Sequence, residues 1–252
     1  MKSLMTIVTI VMVLTLSVVM VAPAYAVFSY DGSGDLEAAG FAFSTNIPGD
    51  TGPSDPLAWD FDTESGSPQP GILYQDSTPF SGGGVSASDY TLDETTAAAE
   101  LVNANGWMVE FRTQSLQNTG DRFGNFLAVG DEVGGIGILL NPDNYEFYDA
   151  TFAGYPGNID LHVTGLSSDY HTTLLTVAPG GTSVDVSIDG VPQGSVPFGG
   201  SNPPRLLFGD GSSGSAGESN WDFININVPE PTTLLLLGTG LAGLVTLRRR
   251  TH

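Results

Sequence analysis

Thr172-Thr-Leu-Leu-Thr-Val-Ala178, the breakers Pro179-Gly180-Gly181, and then Ser183-Val-Asp-Val-Ser-Ile-Asp-Gly190-Val191 decide the fold. Val184, Val186 and Ile188 alternate with Asp185, Ser187 and Asp189. A period of two puts one set of side chains on a buried face and the other in water, which is the signature of a half-buried strand. Asp189-Gly190 then reads as a two-residue hairpin turn into a further strand over Val191–Val196.

The same rhythm extends in both directions. Upstream, Trp107, Val109 and Phe111 share one face and Glu110 and Arg112 the other. Phe123–Val129, Gly135–Leu140 and Tyr145–Tyr148 follow as short strands. Ile159, Leu161 and Val163 alternate with Asp160 and His162. Downstream, Arg205–Phe208 and Trp221–Val228 close the series. Residues 27–105 are loop-rich, with Gly82-Gly83-Gly84 among the breakers. Phe41–Phe43, Leu57–Phe61 and Ile72–Tyr74 are strand candidates there, and Thr95–Val102 is a candidate helical turn. Roughly a dozen short strands at this spacing predict an all-β, two-sheet antiparallel sandwich or barrel.

Composition narrows the function. The chain has 252 residues, 28 acids, 7 bases and no cysteine. Four bases lie in the two ends and only one acid, Glu230, does. Residues 27–228 therefore hold three arginines, no lysine, 27 acids and a formal charge of −24. Such a surface repels phosphate backbones and excludes nucleic-acid binding. Without cysteine there are no disulfides, thiolate metal sites, cysteine nucleophile or lipidated N-terminal cysteine.

The ends carry the clearest signals. Residues 1–26 combine Lys2, an apolar run from Leu4 to Val21, the helix breaker Pro23 and Ala24-Tyr25-Ala26. This predicts a signal helix cleaved after Ala26 by signal peptidase, with Val27 as the new N-terminus. At the other end, Thr232 to Leu247 is an apolar segment of 16 residues, closed by Arg248-Arg249-Arg250. At about 1.5 Å per residue it reaches roughly 24 Å, a short transmembrane helix. The arginines favour the cytoplasmic side.

Just before that segment stands Pro229-Glu230-Pro231. The order Pro-Glu-Pro, short apolar helix, arginine cluster over 229–252 resembles the PEP-CTERM sorting tail of exported Gram-negative proteins. The resemblance implies that an exosortase recognises Pro229, Glu230 and Pro231 and removes the tail. The protein would be delivered to the cell envelope, surface or extracellular matrix from a precursor held in the inner membrane. Two prolines keep the motif extended and outside the helix, a form a protease-like site can grip.

The stretch from His171 to Gly190, with Leu206-Leu-Phe-Gly-Asp210 and Trp221-Asp-Phe-Ile-Asn-Ile226, resembles the concanavalin A-like lectin/glucanase superfamily in its laminin-G-like form. A jelly roll over 27–228 is implied, with Phe208-Gly-Asp210 as a turn. Glucanases of that superfamily carry Glu-x-Asp-x-x-Glu on one strand, setting two carboxylates about a glycosidic bond. No such run occurs here, nor a Gly-x-Ser-x-Gly elbow. The expectation is a non-catalytic, lectin-like domain that binds polysaccharide. The alternatives are a glycoside hydrolase or lyase on the same fold, and a purely structural adhesive module.

Three lesser features bear on ligands. His162 reads as a solvated strand histidine and His171 as a packing feature. Asp60-Phe-Asp62-Thr-Glu64 reads first as a solvated acidic loop. Asp60, Asp62 and Asp222 are nonetheless the oxygens that a structural calcium ion would draw on, Asp222 by the superfamily resemblance. Trp59, Tyr74, Tyr145, Tyr148 and Tyr155 could stack on sugar rings, although sandwich interiors take most large aromatics.

Overall fold

The alternation over 183–191 produces the expected hairpin. Asp189 and Gly190 have φ of 51° and 76°, the left-handed pair that a two-residue type I′ turn demands. In the computed structural model the described residues are 26–31, 36–45, 59–60, 72–78, 88–120, 124–149, 159–200, 204–211 and 215–227. All belong to one unit, Ala26–Val228. Ala24, Pro229, Glu230, Pro231, the segment 232–247, Arg248, Arg249, Arg250, Asp62 and Tyr155 lie outside them. Among the described residues no helix is long and apolar enough to cross a membrane.

The strands run in chain order as β1 (Ala26–Tyr30), β2 (Phe41–Thr45), β3 (Trp59–Asp60), β4 (Leu73–Asp76), β5 (Ser88–Leu92), β6 (Trp107–Gly120), β7 (Phe126–Gly130) and β8 (Gly135–Leu140). They continue as β9 (Asn144–Asp149), β10 (Ile159–Thr164), β11 (His171–Val177), β12 (Ser183–Ile188), β13 (Val191–Pro197), β14 (Arg205–Asp210) and β15 (Ser215–Asn227). A short helix, Glu94–Glu100, is capped by Asp93, whose carboxylate accepts from the Thr96 amide at 3.0 Å.

Two antiparallel sheets result. Sheet A has the order β13-β12-β11-β6-β15-β4-β3, with β1 also on β15. Sheet B has the order β10-β9-β8-β7-β14-β5-β2. The core lies between them. Trp107, Val109, Phe111, Leu175, Val186 and Trp221 come from sheet A, and Tyr90, Leu127, Ile138, Phe147 and Phe208 from sheet B. Phe208 meets Trp221 across the gap with ring centroids 4.8 Å apart. Each such fully buried apolar side chain contributes about 1.5–3 kcal/mol relative to exposure.

Several expectations are corrected. β6 runs on past Arg112 to Gly120, because its inward positions change from Trp107, Val109 and Phe111 to the buried polar Thr113 and Ser115. β15 likewise begins at Ser215, six residues before Trp221. Phe208-Gly-Asp210 is strand rather than turn, paired with Tyr90, Asp89 and Ser88. Ile159 is exposed, since a register shift between Ile159 and Leu161 breaks the alternation. The sequence pattern predicts no strand at β1 or β5.

Candidate functional site

β15 is the strand that precedes Pro229-Glu230-Pro231 in the sequence. β15 pairs along its whole length with β6, from Ser215 opposite Gly120 to Asn227 opposite Met108. Its other edge is shared, β4 taking residues 218–221 and β1 taking 224–227. Ala26 stands opposite Asn227 and Tyr30 opposite Ile224. The chain therefore enters and leaves the sandwich at adjacent backbone positions. Ser29 Oγ donates to Asn225 Oδ1 at 2.6 Å. Tyr30 is buried, and Phe28 packs edge-on against Phe41 at 5.4 Å. Only Val228 separates the ladder from Pro229, which has no N–H to extend it.

The outer face of sheet A is polar. Arg112 Nη1 donates to Asp222 Oδ2 at 2.5 Å, and the guanidinium lies 4.8 Å from the centroid of the Tyr170 ring. Burial first, and then the Asp222 charge, push the Tyr170 phenol up to about 12. The Asp222 carboxylate is thus held by arginine. His171, at the start of β11, has Nδ1 2.7 Å from Asp189 Oδ2 and Nε2 3.0 Å from the Ser167 carbonyl. The other Asp189 oxygen accepts from the Thr172 amide at 2.9 Å. Burial raises the Asp189 carboxyl. The bonds from His171 and Thr172, with the charges of His171 and Arg112, outweigh it and hold the group below the usual carboxylate range. His162 is about half exposed and 4.0 Å from Glu146.

Near the β13 edge of the same face is a shallow groove. Leu174 and Pro192 give it apolar surface, and Thr176, Ser187, Asp185 and Ser195 line it with oxygens. Ser195 Oγ donates to the Asp185 carboxylate.

Other acids serve the scaffold. Asp131 is fully buried and accepts from Trp107, Asn103 and the Val133 and Gly134 amides. Asp210, equally buried, accepts from Ser77 Oγ at 2.6 Å. Asp76 and Glu218 face each other in register, and Tyr74 donates to Glu218 at 2.9 Å. Asp89, which alternates with the buried Tyr90 and Leu92 on β5, is different. Burial pushes its carboxyl up to about 7, and a bond from Thr91 only partly opposes this.

Of the residues that sequence nominated, the backbone of Asp60 lies in β3 opposite Tyr74. Asp222 lies on β15, committed to Arg112. Among the described residues no group of three or more His, Cys, Asp or Glu gathers to hold a metal ion. Tyr145 and Tyr148 are buried packing residues rather than exposed platforms, and Tyr74 is partly buried. Sequence reasoning missed Asp89, Asp131 and Asp210. Asp131 and Asp210 each follow a glycine at a strand end, but nothing in the spacing tells a buried carboxylate from a loop acid.

The fold is therefore a two-sheet antiparallel β-sandwich whose final strand leads directly into a sorting segment. Residues 227–250 match the family model of the PEP-CTERM protein-sorting motif, which marks an exported protein processed by an exosortase at the membrane and sorted to the cell surface. Comparison with curated proteins found no match. Among solved structures, the chain is similar to a conserved carbohydrate esterase from the Shiga toxin-encoding bacteriophage phi24B. That match has a TM-score of 0.54 and 16% identity, covering 82% of this chain and 99% of that one. Domain 4 of a GH43 extracellular arabinanase from Geobacillus stearothermophilus, solved with arabinotriose, gives 0.45 and 16%, over 82% and 93%. An alginate lyase of polysaccharide lyase family 7 gives 0.42 and 10%, over 64% and 80%. At these identities the likeness is one of fold.

Proposed function

We propose that the chain is the precursor of a non-catalytic surface or matrix protein that associates with extracellular polysaccharide. In this reading residues 1–26 are a cleaved signal peptide. Residues 27–228 form a jelly roll of the laminin-G-like, concanavalin A-like kind. Residues 229–252 hold the precursor in the inner membrane of a Gram-negative cell until the exosortase acts. The observation that carries the reading is the sorting motif itself, one residue beyond a completed sandwich. A non-catalytic role is supported by the occupation of the acids: Asp131, Asp189, Asp210 and Asp222 all bind groups of the scaffold. The groove beside Leu174 and Pro192 suits a hydroxyl-rich ligand, offering apolar surface to sugar C–H groups and oxygens to their hydroxyls.

Native protein recovered from the cell surface tests both parts. Mass spectrometry is expected to give Val27 as first residue and a C-terminus without residues 232–252. A glycan array is expected to give binding without release of reducing ends. Full-length protein in the cytosol would overturn the sorting reading, and a silent array would favour an adhesive module.

A further inference from the structure

The groove beside Leu174 and Pro192 opens toward β6, where a second carboxylate stands. We propose that this surface selects a glycan carrying protonated amino groups, and that Asp185 and Glu110 make the selection. The inference deepens the polysaccharide reading above and rests on it.

Directly opposed residues of an antiparallel pair lie on the same side of a sheet. One row on the outer face of sheet A therefore runs Ser195, Asp185, Thr176 and Met108, from β13 across β12 and β11 to β6. The next row runs Pro192, Ser187, Leu174 and Glu110 over the same strands. Val109 and Phe111, on either side of Glu110, point the other way into the core. Leu174 and Thr176 of β11 thus lie between the two carboxylates, one on β12 and one on β6. The path from β13 to β6 covers three strand spacings, about 14 Å, and takes several rings of a linear glycan laid across the strands.

The charges on this path have one sign. Asp185 is exposed and accepts from Ser195 Oγ. Glu110 is half-buried and, among the described residues, has neither a hydrogen bond nor an ion pair. It has given up part of its hydration with nothing in return, and an ammonium group seated beside it restores a charge-assisted partner. The protein does not supply that partner. Among the described residues of this face the one arginine is Arg112, which is held by Asp222 and lies over Tyr170. Residues 27–228 have no lysine and a formal charge of −24, so the field over the groove is negative beyond the two side chains themselves. A uronate or a sulfate ester meets like charge here. An N-acetylated ring keeps the apolar contacts with Leu174 and Pro192 but brings no charge. A ring with a free amine brings the charge and its N–H donors together.

The test titrates the full-length chain, in non-ionic detergent, with hexamers of glucosamine, N-acetylglucosamine and galacturonate, at low salt and a pH where the amines are charged. An exposed ion pair is worth up to about fivefold in affinity, so two should favour the glucosamine hexamer over its acetylated form by roughly tenfold. The galacturonate hexamer should not bind. Salt at ~1 M, where the screening length is about 3 Å, should close the gap. Asp185→Asn and Glu110→Gln keep shape and hydrogen-bonding capacity. Each should cut the preference by about threefold and leave affinity for the acetylated hexamer unchanged, with circular dichroism checking the fold. Equal affinity for the free and acetylated hexamers would overturn the inference, as would tight galacturonate binding with or without calcium, and both leave the polysaccharide reading standing. A glucosamine preference that survives both substitutions would overturn the assignment to Asp185 and Glu110. Silence with all three hexamers would also overturn the inference, and the glycan array then decides the broader reading separately.

Discussion

Trp107 Nε1 donates to Asp131 Oδ2 at 2.8 Å inside the sandwich, where both residues are fully buried. The same oxygen accepts from Asn103 Nδ2 at 3.1 Å, and Oδ1 accepts from the Val133 and Gly134 amides at 2.8 and 3.2 Å. One carboxylate thus ties the start of β6 to the β7–β8 turn. Buried charge is tolerated only when its lone pairs are filled, and here four N–H groups fill them. Asp131→Ala leaves those donors without a partner and should cost at least ~3 kcal/mol. Trp107→Phe loses one bond and some packing and should cost less. Urea midpoints for the two variants check the ranking.

Gly106 and Gly190 have nearly the same φ, 70° and 76°, but different surroundings. An added Cβ at Gly190 meets nothing within 4 Å, whereas at Gly106 it would lie 2.6 Å from the Val177 carbonyl and 2.9 Å from Pro179. Gly190→Ala should therefore cost only the left-handed backbone penalty, about 1–2 kcal/mol. Gly106→Ala adds a collision with backbone and should be the more destabilising, as thermal unfolding of the pair would show.

Asp89 makes stability depend on pH near neutrality. Burial raises its carboxyl to about 7, above the ordinary value of 3.8. The folded state therefore holds the proton more tightly than the unfolded chain. The associated stability is fully present below pH 3.8 and is lost as pH rises through 7. Asp89→Asn should raise the melting temperature at pH 8, by an amount corresponding to ~1–2 kcal/mol, and leave it nearly unchanged at pH 4. Melting curves at the two pH values check this, and an equal gain at both would defeat it.

What the sequence made legible follows from where the core is apolar. In β12 the apolar alternation spans the whole strand, and the Asp189-Gly190 turn could be named because its chemistry is local. One end of the interior is polar instead. Gln75, Ser77, Thr113, Ser115, Asn125, Asp210 and Ser219 are all buried there. Gln75 Nε2 donates to the Gly124 carbonyl at 3.2 Å, and Asn125 Nδ2 donates to Ser115 Oγ at 2.9 Å. A strand crossing that layer shows no hydrophobic period, which is why the sequence pattern predicts β6 only to Arg112 and β15 only from Trp221. The sorting tail was legible for the opposite reason: Pro229-Glu230-Pro231, the apolar run and the arginines act through local chain chemistry. The side-chain partners of Asp131 and Asp189, Trp107 and Asn103 for the first and His171 for the second, come from other segments and leave no trace in spacing.

Tyr74 offers a last check on the outer face of sheet A. Its phenol is raised well above the ordinary tyrosine value, first by burial, then by donating to Glu218, with the charges of Asp76 and Glu218 adding to the effect. Burial likewise raises Tyr145, with a smaller push from Asp189. Raised folded-state values mean that the associated stability is present below about pH 10 and is lost as pH climbs through the raised values. Absorbance at the tyrosinate band should therefore lag the titration of free tyrosine and then rise together with unfolding. Glu218→Gln removes one charge from a cross-strand pair of like sign while keeping an oxygen for the Tyr74 hydroxyl. That variant should be slightly more stable at pH 7, and its Tyr74 should ionise at lower pH than in the wild type. If the tyrosinate curve of Glu218→Gln overlays the wild type throughout, burial alone governs Tyr74 and the coupling to Glu218 is absent.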